Sequence, residues 1–353
     1  MRSRTRVLVV APDKFRGSLS APEVVAAVAA AAEPLGWEVV ALPMADGGEG
    51  MLDAFGGANR SATVTGPGGD PVTASWRLGE DGVAVVESAR ASGLALAGGD
   101  AGNDPVAATS RGTGELVAEA VEAGARRVIV GLGGSAMTDG GLGAVEAVLD
   151  RLEGQRPGDR GVELLAACDV QTAFTDAARV FGPQKGATPE QVLELTTRLE
   201  RLQERYRDEH GVDLQGVPGA GAAGGLGGGL VVLGGRLLPG LQLVAEQVGL
   251  VEALERADAV VTGEGALDAE SFNGKVVGGV LDAALAQPHR IPVIAVAGVV
   301  REDAPADRLA QLTVVSLSDT YGTEASWEDT AGCISRAVSE SLRRLEGAPD
   351  RAR

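Results

Sequence analysis

Three segments of this chain set charged side chains beside glycine. In PDKFRGSLSA, residues 12–21, Asp13, Lys14 and Arg16 stand beside Gly17 and Ser18, just ahead of an Ala-rich stretch that has Pro22 and Glu23 in its first turn. A helix starting there with Ser20 as its N-cap would aim backbone N–H groups and two cations at an anion. In PMADGGEG, residues 43–50, Asp46 and Glu49 surround two glycines. TGEGALD, residues 262–268, repeats the device with Glu264 and Asp268, and Lys275 follows. Carboxylates spaced this way suit a hard divalent cation or the removal of a proton from an alcohol. Either loop alone is equally an ordinary turn before a helix that favours acids in its first turn. Two of them after apolar strands favour chemistry.

Other segments add weaker signals. TSRGTGEL (109–116) offers the hydroxyls of Thr109 and Ser110 ahead of a helix, and FGPQKGA (181–187) sets Lys185 in a tight loop. GLGGSAMTDGG (131–141) follows a strand and meets a loose dinucleotide pattern at Gly131, Gly133 and Ala136, with Asp139 on a turn. The helix that pattern needs is delayed by MTDGG, which counts against a nicotinamide dehydrogenase. No GxxxxGK[ST] segment exists and no protein-kinase signature set, so phosphate binding must use other glycine loops. His210 and His289 are solitary, and Cys168 and Cys333 lie far apart. Ser-His or Cys-His catalysis, a disulfide framework and a zinc site are all disfavoured.

These residues need a scaffold, and the composition limits its kind. The formal net charge of -18 repels nucleic acid and anionic membrane surfaces, so neither is an expected partner. Against that field the cations inside glycine-rich loops, Lys14, Arg16, Lys185 and Lys275, stand out. The apolar run at 7–11 is too short for a signal peptide and that at 24–32 too short for a membrane span, so a cytoplasmic protein is expected. Hydrophobic residues make up 44% and aromatics 3%, which calls for a core of Ala, Val and Leu.

Strand 7–11, helix 21–33 and strand 37–42 make a βαβ beginning, hence a parallel sheet whose loops at the strands' carboxyl ends face ligand. Short alternating stretches at 62–65, 72–77 and 83–87 read as antiparallel strands entering a second domain. A helix at 113–123, a strand at 127–130 and a long polar helix at 188–209 follow. The glycine-dense GAGAAGGLGGGL (219–230) reads as structured rather than as a linker, because apolar residues resume at once. Strand 259–262 is expected to end in a GEGALD loop, followed by helix 275–286, strands 292–298 and 312–317, and a last helix near 327–345. At 353 residues the chain exceeds one ordinary core, so two lobes flanking a cleft are expected. The expected fold is α/β: a Rossmann-like or flavodoxin-like parallel-sheet domain (1–60 and 258–353) interrupted by an inserted α/β domain (61–257).

Taken in order, APDKFRGSLSA, PMADGGEG, TGPGGDPVTA, ESARASGLAL, TSRGTGEL, GLGGSAMTDGGLG, ACDV, FGPQKGA, GAGAAGGLGGGL and VVTGEGALDAESFNGK resemble the motif series of the bacterial type of glycerate kinase, over about residues 7–300. The resemblance implies phosphorylation of D-glycerate with ATP and Mg2+ by a Rossmann-like domain interrupted by a second α/β domain. Carried over by position, it puts Asp46, Glu49, Ser135, Asp139, Asp169, Lys185, Glu264, Asp268 and Lys275 in or beside the cleft. On this basis Lys14 and Arg16 would hold carboxylate or phosphate, Lys14 as part of the catalytic set. Asp46 or Asp139 would orient or deprotonate the alcohol, and Glu264 with Asp268 would hold magnesium. Gly133, Gly134, Gly263 and Lys275 would meet the nucleotide, and Ser18, Glu49, Thr109, Ser110, Ser135, Asp169 and Lys185 the substrate.

The chain departs from the family pattern at Lys14 and Arg16, where DSFKGS is usual, at Met137 and Thr138, where SATNDGG is usual, and at Gln171 to Ala173. Arg and Lys differ as anion ligands, so substrate choice is open at these places. A kinase of the same fold with another acceptor and an inactive paralogue that binds a nucleotide or anion are the rival expectations. The sequence is silent on oligomeric state.

Overall fold

The structure is a computed structural model that describes residues 5–347; residues 1–4 and 348–353, the ends of the first expected domain, lie outside it. Eleven strands are present among the described residues. They are β1 Arg6–Val10, β2 Trp37–Ala41, β3 Arg60–Thr65, β4 Pro71–Leu78, β5 Val83–Glu87, β6 Arg127–Gly131, β7 Glu163–Ala167, β8 Arg236–Leu238, β9 Ala259–Leu267, β10 Val293–Val300 and β11 Thr313–Ser316. The contacts divide into two compact units. One comprises the chain up to Asp46, Asp53–Phe55 and everything from Leu241 onward; the other comprises Gly47–Leu52 and Gly56–Gly240. Residues 241–257 thus group with the first unit.

The first unit holds a five-stranded sheet in the order β11-β10-β9-β1-β2, with every neighbouring pair parallel. A parallel sheet must be covered on both faces, and the runs RVLVV and VIAVAGVV supply apolar side chains to both. Leu8, Val10, Ala259, Val261, Ile294 and Val296 pack on one face with Val24 and Val28 of helix Ala21–Ala32 and Ile334 and Val338 of helix Thr330–Gly347. Ala295, Ala297 and Leu267 turn the other way, onto Val277 of helix Val276–Leu285. Helix Ala21–Ala32 starts at Ser20, whose backbone N–H and hydroxyl both donate to the Glu23 carboxylate.

One expectation fails here. The GEGAL segment is not a loop, since β9 runs on to Leu267 and stays paired with β10 up to Leu267↔Val300. Its glycines read as breakers, but they serve close packing. A Cβ on Gly263 would stand 2.1 Å from the Val296 carbonyl oxygen, and one on Gly298 would stand 2.5 Å from that of Gly265. Glu264 therefore sits on a strand.

The second unit holds a six-stranded sheet in the order β3 to β8. β3, β4 and β5 are antiparallel neighbours, as expected, but β5 is also the first of four parallel strands, pairing with β6 from Val83↔Arg127 to Glu87↔Gly131. The long helix Pro189–His210 buries one stripe, Leu195, Leu199, Leu202 and Tyr206, and leaves a mostly polar remainder in which Leu193 is exposed. The glycine-dense segment is buried: a Cβ on Gly224, whose φ is +68°, would stand 2.0 Å from the Met137 carbonyl oxygen, and Gly140 N–H donates to the Gly224 carbonyl at 3.0 Å. Among the described residues, no helix is long and apolar enough to cross a membrane.

Candidate active-site residues

In the first unit, parallel strands bring their carboxyl ends to one edge, and the chemistry-bearing residues follow from that. Asp13 comes three residues after β1; its N–H donates to the Gly263 carbonyl at 2.9 Å, and its carboxylate accepts the Lys14 N–H at 2.7 Å. The Lys14 ammonium is 3.8 Å from the same oxygen. Asp46 follows β2 on a loop tied back by Met44 N–H to the Pro12 carbonyl, 2.9 Å.

Burial raises Asp13 to about 6, with Asp46 adding to the rise and Lys14 and Lys275 opposing it. Burial likewise raises Glu264 to about 7, with the charges of Asp13 and Asp268 adding, while Ser271 and Lys275 oppose. Glu264 Oε1 is buried with no hydrogen-bond partner. Asp268 accepts the N–H and hydroxyl of Ser271 at 3.1 and 3.2 Å. Lys275 begins helix Val276–Leu285 and pairs with Glu270 at 3.0 Å.

The structure therefore brings Lys14, Asp46, Gly263, Glu264, Asp268 and Lys275 together, and centres them on Asp13, a residue the sequence did not single out from its loop. Gly263 is buried inside the sheet, and its need for glycine is explained by packing against β10. Arg16 is exposed on the Arg16–Ser18 turn, and the Ser18 hydroxyl is hydrogen-bonded to that of Thr330.

In the second unit, Asp139 is 5% exposed and its carboxylate is occupied. It accepts the Ser110 N–H and hydroxyl, each at 2.8 Å, the Gly141 N–H at 3.0 Å and the Gly143 N–H at 3.3 Å, with the Thr109 hydroxyl at 3.5 Å. Thr109, Ser110 and Asp139 do meet, with two hydroxyls and three backbone N–H groups turned onto one carboxylate. Asp139→Asn, which turns one acceptor into a donor facing donors, is expected to cost about 2–3 kcal/mol of unfolding free energy in a denaturant titration. An unchanged midpoint would show that these bonds do not hold the loops together.

Lys185 is 3% exposed and donates to Ser135 Oγ at 2.9 Å and the Met137 carbonyl at 2.7 Å. Burial lowers its pKa to about 7, with Asp139 opposing. Asp169 accepts the Gly240 N–H at 2.8 Å. Gly133 is closely approached, since a Cβ there would be 2.9 Å from Gly48 Cα, while Gly134 is exposed with φ +69°. Glu49 is exposed. Its loop is held by Glu87, which is 2% exposed and accepts the N–H groups of Gly50 and Leu52, both at 3.0 Å, besides Arg90 Nε at 3.1 Å. Glu87 went unnoticed in the sequence, although a carboxylate closing an apolar strand, VAVVE, was the available signal.

The chain is thus an α/β protein of two units, one with a parallel and one with a mixed sheet, carrying charged, glycine-rich segments at strand ends, where proteins of this class take small ligands. The glycerate kinase family model matches residues 8–155 and 149–346. The chain is 39% identical over 330 residues to the glycerate 2-kinase of Escherichia coli (strain K12), covering 84% of this chain and 86% of that one. It is 38% identical over 374 residues to the glycerate kinase of Bacillus subtilis (strain 168), covering 94% and 97%. The crystal structure of putative glycerate kinase 2 from Salmonella typhimurium LT2 matches with a TM-score of 0.82 at 33% identity, over 98% of this chain and all of that one. The chain belongs to the glycerate kinase family.

Proposed function

We propose that this protein is a kinase that transfers the terminal phosphoryl group of ATP to a hydroxyl of glycerate. The observation that carries the reading beyond the names of its relatives is the carboxylate set of the first unit, in which Asp13 and Glu264 are held at about 6 and about 7. Phosphoryl transfer asks little covalent chemistry of the protein: positioning, neutralised charge and a proton acceptor suffice.

A divalent cation fits the donor set. Glu264 Oε1 is a buried acceptor with no partner, and Asp268 adds a second hard oxygen donor. Among the described residues no group of three or more His, Cys, Asp or Glu is placed to hold a metal ion. Magnesium takes one or two carboxylates and completes its shell with water and phosphate oxygens. Bound there, it would offset the charge of the polyphosphate.

The remaining work falls to side chains. Asp13 takes the proton as the acceptor hydroxyl forms its bond to phosphorus and the bond to the ADP oxygen breaks. A carboxyl raised towards the working pH is a better base than one at its ordinary value. Lys14 and Arg16 offset the moving negative charge. The reading assigns the enzyme's work to the cytoplasm, where ATP is supplied.

The test is ADP release by the purified protein with ATP, Mg2+ and glycerate, against a panel of other hydroxy acids, sugars and nucleosides. Turnover with glycerate is the expected result. Silence with glycerate and turnover with another alcohol would reassign the acceptor. Tight nucleotide binding with no ADP release on any acceptor would make the protein a sensor rather than an enzyme.

A further inference from the structure

Lys185 has the ion-binding look of a substrate contact in the sequence, yet it is 3% exposed, and two protein oxygens take its hydrogen bonds. A buried lysine this well enclosed reaches a ligand only through what it touches. One partner, the Met137 carbonyl, is inert. The other, Ser135 Oγ, is not.

In its ammonium form, which the nearby Asp139 charge favours, Lys185 only donates, so in the Lys185–Ser135 bond the serine oxygen accepts. That bond uses a lone pair of Ser135 and turns its own O–H away from the lysine. Among the described residues the Ser135 hydroxyl finds no acceptor for that hydrogen. Ser135 is 7% exposed, and its neighbour Gly134 is exposed. A hydroxyl that already accepts from a cation is a stronger donor than a free one, because successive hydrogen bonds polarise one another. The acceptor it suits is an anionic oxygen.

We propose that Lys185 is a positioning residue that fixes and polarises the Ser135 hydroxyl as a donor to an oxyanion of one substrate, either the carboxylate of the acid acceptor or a phosphate of the nucleotide. The proposal rests on the kinase reading for its choice of ligands.

The surroundings make the idea testable without unfolding the loop. Asn103 Nδ2 donates to the carbonyls of Lys185 at 2.9 Å and Ala136 at 3.1 Å, and Lys185 N–H donates to the Gly182 carbonyl at 3.0 Å. These bonds hold the two segments together whatever side chain stands at 185. Lys185→Met keeps the buried stem and removes only the donor.

The experiment is a double-mutant cycle of Ser135→Ala and Lys185→Met, read as Kd for glycerate and for ATP separately by calorimetry, with thermal unfolding as a check on folding. Removing a hydrogen bond to a charged group weakens binding by roughly tenfold or more. That loss is expected for one ligand only, in Ser135→Ala and again in Lys185→Met. The double variant should bind that ligand no worse than Ser135→Ala alone, because the lysine acts through the serine. A merely structural lysine would add its own loss in the double variant, and that result overturns the proposal. Unchanged Kd values in Ser135→Ala, or a wild type that binds neither ligand, overturn it too. The ligand whose Kd moves identifies the oxyanion. Turnover is measured in parallel: a wild type that binds both ligands but releases no ADP sinks the kinase reading and leaves the cycle interpretable.

Discussion

Asp13→Asn is expected to lower kcat by about a hundredfold or more, at the low end of what a positioned general base contributes, and to raise thermal stability at pH 8. The two effects share one cause. The Asp13 carboxyl is raised from 3.8 to about 6 by burial first, with Asp46 adding. A raised folded pKa means that the proton's contribution to stability is complete below about pH 4 and is lost as the pH climbs through 6. At pH 8 the wild type thus carries the cost of a buried charge, on the order of 2–3 kcal/mol for a shift of this size. Asparagine never carries it. The melting-temperature advantage of the variant should be present at pH 8 and shrink as the buffer is taken to pH 4. Near-normal kcat in the variant would remove Asp13 from the catalytic set, and a pH-independent advantage would refute the electrostatic account.

Gly263→Ala is expected to be the most damaging small change in the first unit. The added methyl would stand 2.1 Å from the Val296 carbonyl oxygen, backbone of the neighbouring strand. Because Gly263 is paired with Val296 between two well-packed strands, relief requires the strands themselves to part. A loss of about 3–5 kcal/mol, enough to empty a marginally stable fold, is the expected magnitude. Gly274→Ala is the control: its φ is +78° but nothing lies within 4 Å of the new Cβ, so only backbone strain of about 1 kcal/mol applies. Equal melting temperatures for the two variants would show that the strand pairing is looser than drawn.

The legible part of this fold was the part written in uninterrupted apolar runs. VLVV, PVIAVAG and LTVVSL read as buried parallel strands, and β1, β10 and β11 lie there, although β11 is an edge strand with no fully buried residue. β7 escaped notice because ELLAA is too short to tell from a helix by periodicity. β8, three residues with an exposed arginine, carries less signal still. β9 was cut short at Gly263 because a glycine reads the same whether it breaks a strand or lets another backbone approach it. The same limit applies to the candidate site. Charge inside glycine-rich segments marked Lys14, Asp46, Glu264 and Lys185, whereas the burial that distinguishes Asp13, and the Thr109 and Ser110 donors that meet Asp139 from about thirty residues away, come from distant stretches of chain and leave no local trace.

The central pairing of the first unit has a price in time. Val7 and Asp258, 251 positions apart, share a hydrogen bond, and β1 pairs with β9 from Leu8↔Ala259 onward. During synthesis the nascent β1 and β2 leave the ribosome early and wait with an unpaired edge. Gly56–Gly240, by contrast, emerges as one continuous stretch able to collapse first. The amino-terminal strands are thus the segment most open to wrong partners in the growing chain, and the step that shields them is the arrival of the last hundred residues.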